Sequence, residues 1–136
     1  MGRAMMIGGV FLLARDTRAL ANWYQRYLGW QLDYLADEDT YYIELYYREA
    51  DRPERSQHLV YAIMPGDPGE PGQGHVINYR VDDIDSIVAS LHQSGVETSA
   101  VTLGPDAEGQ GKFVRLADPE GHRVELWQHL EGDVAG

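Results

Sequence analysis

The chain has no cysteine. That removes a disulfide framework, a thiol nucleophile and any cysteine-based metal site at once, and it fits a reducing compartment. It also has no apolar run approaching the roughly 18 residues of a membrane-spanning helix. Residues 1–10 lack a basic start followed by a long apolar stretch, so no secretory leader is expected and the cytoplasm is the expected location. Basic charge is scarce too: 11 Lys and Arg stand against 22 Asp and Glu, a formal net charge of -11. A nucleic-acid binder needs a basic face to meet phosphate, and no cluster of that kind is present. The same deficit argues against anionic membranes as partners. The acidic residues are scattered, as on a solvated surface.

What is present is a chain of 136 residues, long enough to bury a core without staples. It reads as one compact domain or as two half-size modules. Residues 7–14 form an apolar stretch of strand length. Asp16 follows as a helix cap. Leu20, Trp23, Tyr24, Tyr27 and Leu28 recur at helical spacing, and Gly29 ends the pattern. Residues 30–35, 40–48 and 58–64, rich in Tyr, Leu, Ile and Val, read as three strands. The first module thus covers residues 7–64. Residues 65–74, with Pro and Gly alternating, read as a stiff connector.

The second module, residues 75–129, repeats the order of the first. Residues 75–81 read as a strand, and Asp82 or Asp83 as a helix cap. Ile84, Ile87, Val88 and Leu91 form an apolar stripe, and Gly95 ends the helix. Strands are expected at 96–103, 112–117 and 123–129, with a plain glycine-rich loop over 104–111. Asp16 aligns with Asp83 and Gly29 with Gly95, a period of roughly 66 to 67 residues that signals a duplicated supersecondary unit. One helix covers only part of a four-stranded sheet. Two such units packed together can leave a concave face, where small ligands bind.

Three stretches carry a family resemblance. Residues 16–30 contain Asp16, a helix with Trp23-Tyr24, and then Leu28-Gly29. Residues 76–85 match the strand and helix start of a second module. Residues 113–126 contain Phe113, Asp118-Pro119, Gly121 and the closing Glu125-Leu126. Together they resemble the vicinal-oxygen-chelate superfamily, which includes glyoxalases, bleomycin-resistance proteins and dioxygenases. The resemblance implies an α+β fold, two βαβββ modules forming a cupped mixed sheet, in a homodimer. Many members hold a divalent metal through four side chains. Those positions fall here at Gly9, near Tyr61, at Val76 and at Glu125. Only Glu125 keeps a donor of the family type. His75 lies one residue from a ligand position, and a slip of one turns a strand side chain to the opposite face. No functional metal or other cofactor is therefore expected, and the chain departs from the metal-enzyme pattern.

Alternation then sorts the candidates. In the last strand, Glu125 and Trp127 share the cupped face, while Val124 and Leu126 serve the helix side. A carboxylate on an apolar face needs a partner. It can act as a proton acceptor or as a clamp for a cationic ligand group, or it can be a structural group paired with Arg115 of the neighbouring strand. Asn78 and Arg80 share the face with Val76, and an arginine there suits a carboxylate or phosphate, unless it forms an ion pair at the rim. Tyr42, Tyr46 and Tyr61 join Trp127 as candidate aromatic walls. Trp23, Tyr24 and Tyr27 are assigned to packing, and Asp118-Pro119-Glu120-Gly121 to a turn. The histidines show no HExxH spacing.

The expectation is a protein that binds a small, partly aromatic or apolar molecule, as the drug-sequestering relatives do without metal. The rival is a lyase or isomerase of glyoxalase type, using a metal or Glu125 as base. A third reading is an interaction module without a ligand.

Overall fold

The computed structural model describes every residue except 1, 3, 4, 73, 107 and 131–136. Gln73 of the expected connector, Ala107 of the expected loop and three of the ten N-terminal residues thus lie outside the described residues. The chain divides into two compact units, the first ending at Pro68 and the second beginning at Gly69.

In the first unit β1 (Gly9–Ala14) leads into α1 (Thr17–Leu28), then β2 (Asp33–Leu35), β3 (Thr40–Arg48) and β4 (Ser56–Pro65). The Asp16 carboxylate accepts the Ala19 N–H at 3.0 Å and caps α1, and Gly29 closes it in the left-handed conformation, with φ of 79°. The sheet order is β1-β4-β3-β2. The outer pair β1–β4 is parallel and the other pairs are antiparallel. Helix α1 lies against β1, β3 and β4. Leu12, Ala14, Leu20, Ala21, Tyr24, Tyr61 and Ile63 are buried there.

The second unit repeats that plan with β5 (Val76–Arg80), α2 (Ile84–Gln93), β6 (Thr102–Asp106), β7 (Gly109–Ala117) and β8 (Arg123–His129). Its sheet order is β5-β8-β7-β6, with β5–β8 parallel. Of the two possible caps, Asp83 does the work, accepting the Ser86 N–H at 3.2 Å. Tyr79, Ile84, Val88, Leu91, Val114, Leu116, Val124 and Leu126 are its core. The fold is therefore α+β: two βαβββ modules, each a four-stranded mixed sheet with one helix.

Two stretches differ from expectation. Only Asp33–Leu35 of the 30–35 segment is strand; just before it the Leu32 N–H donates to the Gln25 side chain of α1 at 2.8 Å, and the Trp30 ring lies 4.9 Å from that of Tyr61. The glycine-rich segment 104–111 is not a plain loop. It forms the tip of the β6–β7 hairpin, with Gly104 opposite Gly111 and Asp106 opposite Gly109. The strand expected at 96–103 accordingly begins only at Thr102. Glycine is required at 111 by close approach: a Cβ there would lie 2.7 Å from Asp106 Oδ2 and 2.8 Å from Trp127 Nε1.

Candidate functional site

Strand register decides which side chains share a face. In the second sheet, β5 and β8 pair Asn78 with Glu125 and Arg80 with Trp127. The β7–β8 pairing sets Arg115 opposite Glu125 and Phe113 opposite Trp127. These residues all occupy the face opposite the one that buries Val114, Val124 and Leu126, so they lie on the helix-free side. There Glu125 is the centre of a three-residue set. Asn78 Nδ2 donates to its Oε1 at 2.8 Å. Arg115 Nε donates to its Oε2 at 3.0 Å. The Glu125 side chain is only 20% exposed, whereas that of Arg115 is 63% exposed. A carboxylate oxygen accepts more than one hydrogen bond, so Glu125 keeps capacity for a further donor while its orientation is set from both sides.

Arg80 and Trp127 form the next layer toward the strand ends. The Arg80 guanidinium lies 4.6 Å from the indole centroid. It also donates to both Glu108 carboxylate oxygens, at 2.9 and 3.3 Å. The pairing with Glu108 meets the rim ion pair considered for Arg80, and the stacking adds a flat cationic ledge.

Behind that ledge lies a group that strand alternation could have revealed. His129 follows Trp127 by two residues and shares its face. Its Nδ1 is 2.9 Å from Asp106 Oδ2, and Trp127 Nε1 donates to the same oxygen at 2.9 Å. The Glu108 N–H donates to Asp106 Oδ1 at 2.8 Å. Burial would raise the Asp106 pKa, but the hydrogen bonds from His129, Trp127 and Glu108 outweigh it and hold it at about 2. The hydrogen bond to Asp106 raises the His129 pKa, against its own burial. Asp106 escaped sequence reasoning because it sat inside an apparent loop.

In the first sheet, β3 and β4 pair Tyr42 with Ala62, Glu44 with Val60 and Tyr46 with His58, all on the helix-free face. Tyr46 Oη donates to Glu44 Oε2 at 2.7 Å, which raises the tyrosine pKa. His58 Nδ1 lies 3.5 Å from the same oxygen. Glu44 and His58 were not among the sequence candidates. Tyr61 needs correction. It pairs with Ile43, is 2% exposed and contacts the Tyr24 ring on α1 and the Trp30 ring. It belongs to the helix-side core, because its neighbour Ala62 takes the helix-free face.

The same register tests the residues against the family metal. Phe11 pairs with Ala62 as Asn78 pairs with Glu125, so the fourth-strand counterpart of Glu125 is Ala62, not Tyr61. Gly9, Ala62 and Val76 offer no side-chain donor. A Cβ at Gly9 would meet the Phe11 ring at 2.8 Å, so the place where a ligand side chain would begin is filled. His75 is exposed and precedes β5. No three His, Asp or Glu side chains converge as a metal set among the described residues. The residues do not fit the group.

The fold and site can be compared with known proteins. The chain resembles a fosfomycin-resistance protein, FosX, of Listeria monocytogenes, at 16% identity and TM-score 0.60, covering 96% of this chain and 97% of that one. It also resembles the oxidase ChaP-H1, at 18% identity and TM-score 0.62, over 95% and 99% of the two chains. An integron cassette protein of V. cholerae matches at 13% identity and TM-score 0.63, over 96% and 99%. Identities this low establish the fold and not the activity. A search of curated protein sequences gives no match. A model of the Glyoxalase/Bleomycin resistance protein/Dioxygenase superfamily matches residues 6–126, and the chain belongs to that superfamily.

Proposed function

We propose that this protein binds a small, partly aromatic or apolar molecule on the helix-free face of its second sheet, without the family metal. One observation carries the reading: Glu125 is held at both oxygens by Asn78 and Arg115, beside the flat ledge of Arg80 over Trp127. Glu125 and Asn78 can recognise a polar handle, while the ledge stacks against a flat body. Tyr42 and Tyr46 give the first sheet an aromatic surface of similar character. The family's usual state, and the reading adopted here, is a homodimer in the cytoplasm. Binding ranks above catalysis because Gly9, Ala62 and Val76 contribute no metal donor.

The test is a thermal-shift screen of small aromatic compounds, followed by calorimetry on each hit. A ligand that binds only the folded chain raises the melting temperature by mass action. Glu125→Gln and Trp127→Ala are expected to weaken hits while the unliganded chain stays folded. Turnover of a glyoxalase-type substrate that is lost in Glu125→Gln would replace binding with a lyase or isomerase activity using Glu125 as base.

A further inference from the structure

Strands β5 and β8 are parallel neighbours, and their C-terminal ends open onto a pocket of about 650 Å³ lined by Arg80, Val81, Asp82, Gln128, His129 and Leu130. We propose that this pocket is a second ligand site, taking a small monocarboxylate with an apolar body through His129, Gln128 and Arg80. Its centre, His129, is a different group from Glu125, and Arg80 borders both. Glu125 and His129 are four positions apart on β8, roughly 13 Å along a strand.

Three donor-bearing residues line the pocket, His129 and Arg80 from the helix-free face and Gln128 from the helix side. The His129 imidazole is fixed through Nδ1 by Asp106, and among the described residues its Nε2 has no partner. The Gln128 carboxamide accepts the Ile84 N–H through Oε1 at 2.8 Å. That bond orients the amide and leaves its NH2 as a donor. Arg80 commits part of its five-donor fork to Glu108 and retains the rest. Donors set in this way suit a carboxylate. Val81 and Leu130 supply the apolar wall that its body needs.

The charged groups around His129 set the valence of the ligand. Asp106 and Glu108 face it from the β6–β7 hairpin, and Arg80 from β5. Asp82 lines the same pocket beyond β5. Asp106 has its oxygens engaged by three donors, and Glu108 is paired with Arg80. The exposed Asp82 carboxylate repels a second negative charge, so the site favours a monoanion over a phosphate dianion. The raised His129 pKa keeps more of the charged donor near neutral pH, so affinity rises as pH falls through it.

The experiment titrates the full chain with benzoate, benzamide, benzylamine and phenyl phosphate, following the His129 ring by NMR. Benzoate is expected to shift the His129 signals saturably and to raise its pKa. Benzamide and benzylamine should bind at least about tenfold more weakly, in line with a lost charge-assisted hydrogen bond, and phenyl phosphate should bind more weakly than benzoate because Asp82 repels its second charge. His129→Gln should reduce benzoate affinity by a similar factor. Gln128→Leu serves as a second variant if His129→Gln does not fold, and should also weaken benzoate. Glu125→Gln should leave the benzoate-dependent shift of the His129 signals in place, since that readout reports the pocket and not the sheet face. No His129 shift with benzoate, or equal binding of benzylamine, overturns the proposal. Loss of benzoate binding in Glu125→Gln but not in His129→Gln also overturns it, and leaves the sheet-face reading standing.

Discussion

At the scale of single residues, the second sheet gathers its polar groups around two carboxylates in different states of engagement. Glu125 accepts from Asn78 and Arg115 and is 20% exposed. Asp106 is almost wholly enclosed and accepts from His129, Trp127 and a backbone N–H. The first keeps some exposure and the second fixes a neighbour. Asp106 also couples stability to pH. Its pKa is about 2 in the fold against an ordinary 3.8, so its contribution is present above about pH 4 and is lost as pH falls toward 2. His129 is raised above its ordinary 6.5. Its contribution is full below that value and is lost as pH rises through the folded pKa. The pair therefore stabilises most between about pH 4 and 6.5, and Asp106→Asn should flatten both flanks of a melting-temperature profile. An unchanged profile would place the coupling elsewhere. Gly111→Ala tests the same cluster sterically. Its Cβ would lie under 3 Å from both Asp106 and Trp127. A loss of roughly 1–3 kcal/mol by urea unfolding is expected, as for overpacked cores.

Elements show where the sequence was legible. Helix α1 could be read because Asp16, the spacing of Leu20, Tyr24 and Tyr27, and Gly29 all agree on its limits. The face of β8 could be read because alternation from Val124 to Trp127 is strict, which placed Glu125 and Trp127 on one side; alternation in β5 did the same for Asn78 and Arg80, while the face of Arg115 depended on the hairpin register, which the β7–β8 pairing supplies. Tyr61 could not be placed the same way. Residues 59–64 are apolar throughout, so alternation gives no face, and only pairing with β1 and β3 assigns one. The β6–β7 hairpin was hidden for another reason. Glycines usually mark a loop, but here they make room for Trp127 and Asp106. Leu91, 1% exposed on α2, gives a direct check on the helix face. Leu91→Ala should cost roughly 2–5 kcal/mol in denaturant unfolding, as for a buried leucine deletion. A near-neutral result would mean that α2 packs through other residues. Removing the Asp83 cap of that helix by Asp83→Ala should cost about 1 kcal/mol.

For the whole molecule, the duplication makes the departure from the metal pattern informative. The two modules share topology and register, so equivalent positions can be compared directly: Gly9 with Val76 and Ala62 with Glu125. One side-chain donor remains at the four family positions, and it is already engaged by an amide and a guanidinium. A single side-chain donor does not hold a divalent ion tightly, since such sites need three or four. The chain purified without a histidine tag should therefore carry no stoichiometric metal. Its melting temperature should not fall with chelator, nor rise with Zn, Ni, Mn or Fe(II), because an ion without affinity for the fold cannot shift its equilibrium. One bound metal per chain, with a melting temperature that drops under chelator, would mean that side chains outside the four family positions converge on an ion. Metal-assisted lyase chemistry would then displace binding as the leading function. Insensitivity to all five treatments would leave Glu125, Asn78 and Arg115 as the polar centre that a ligand must satisfy.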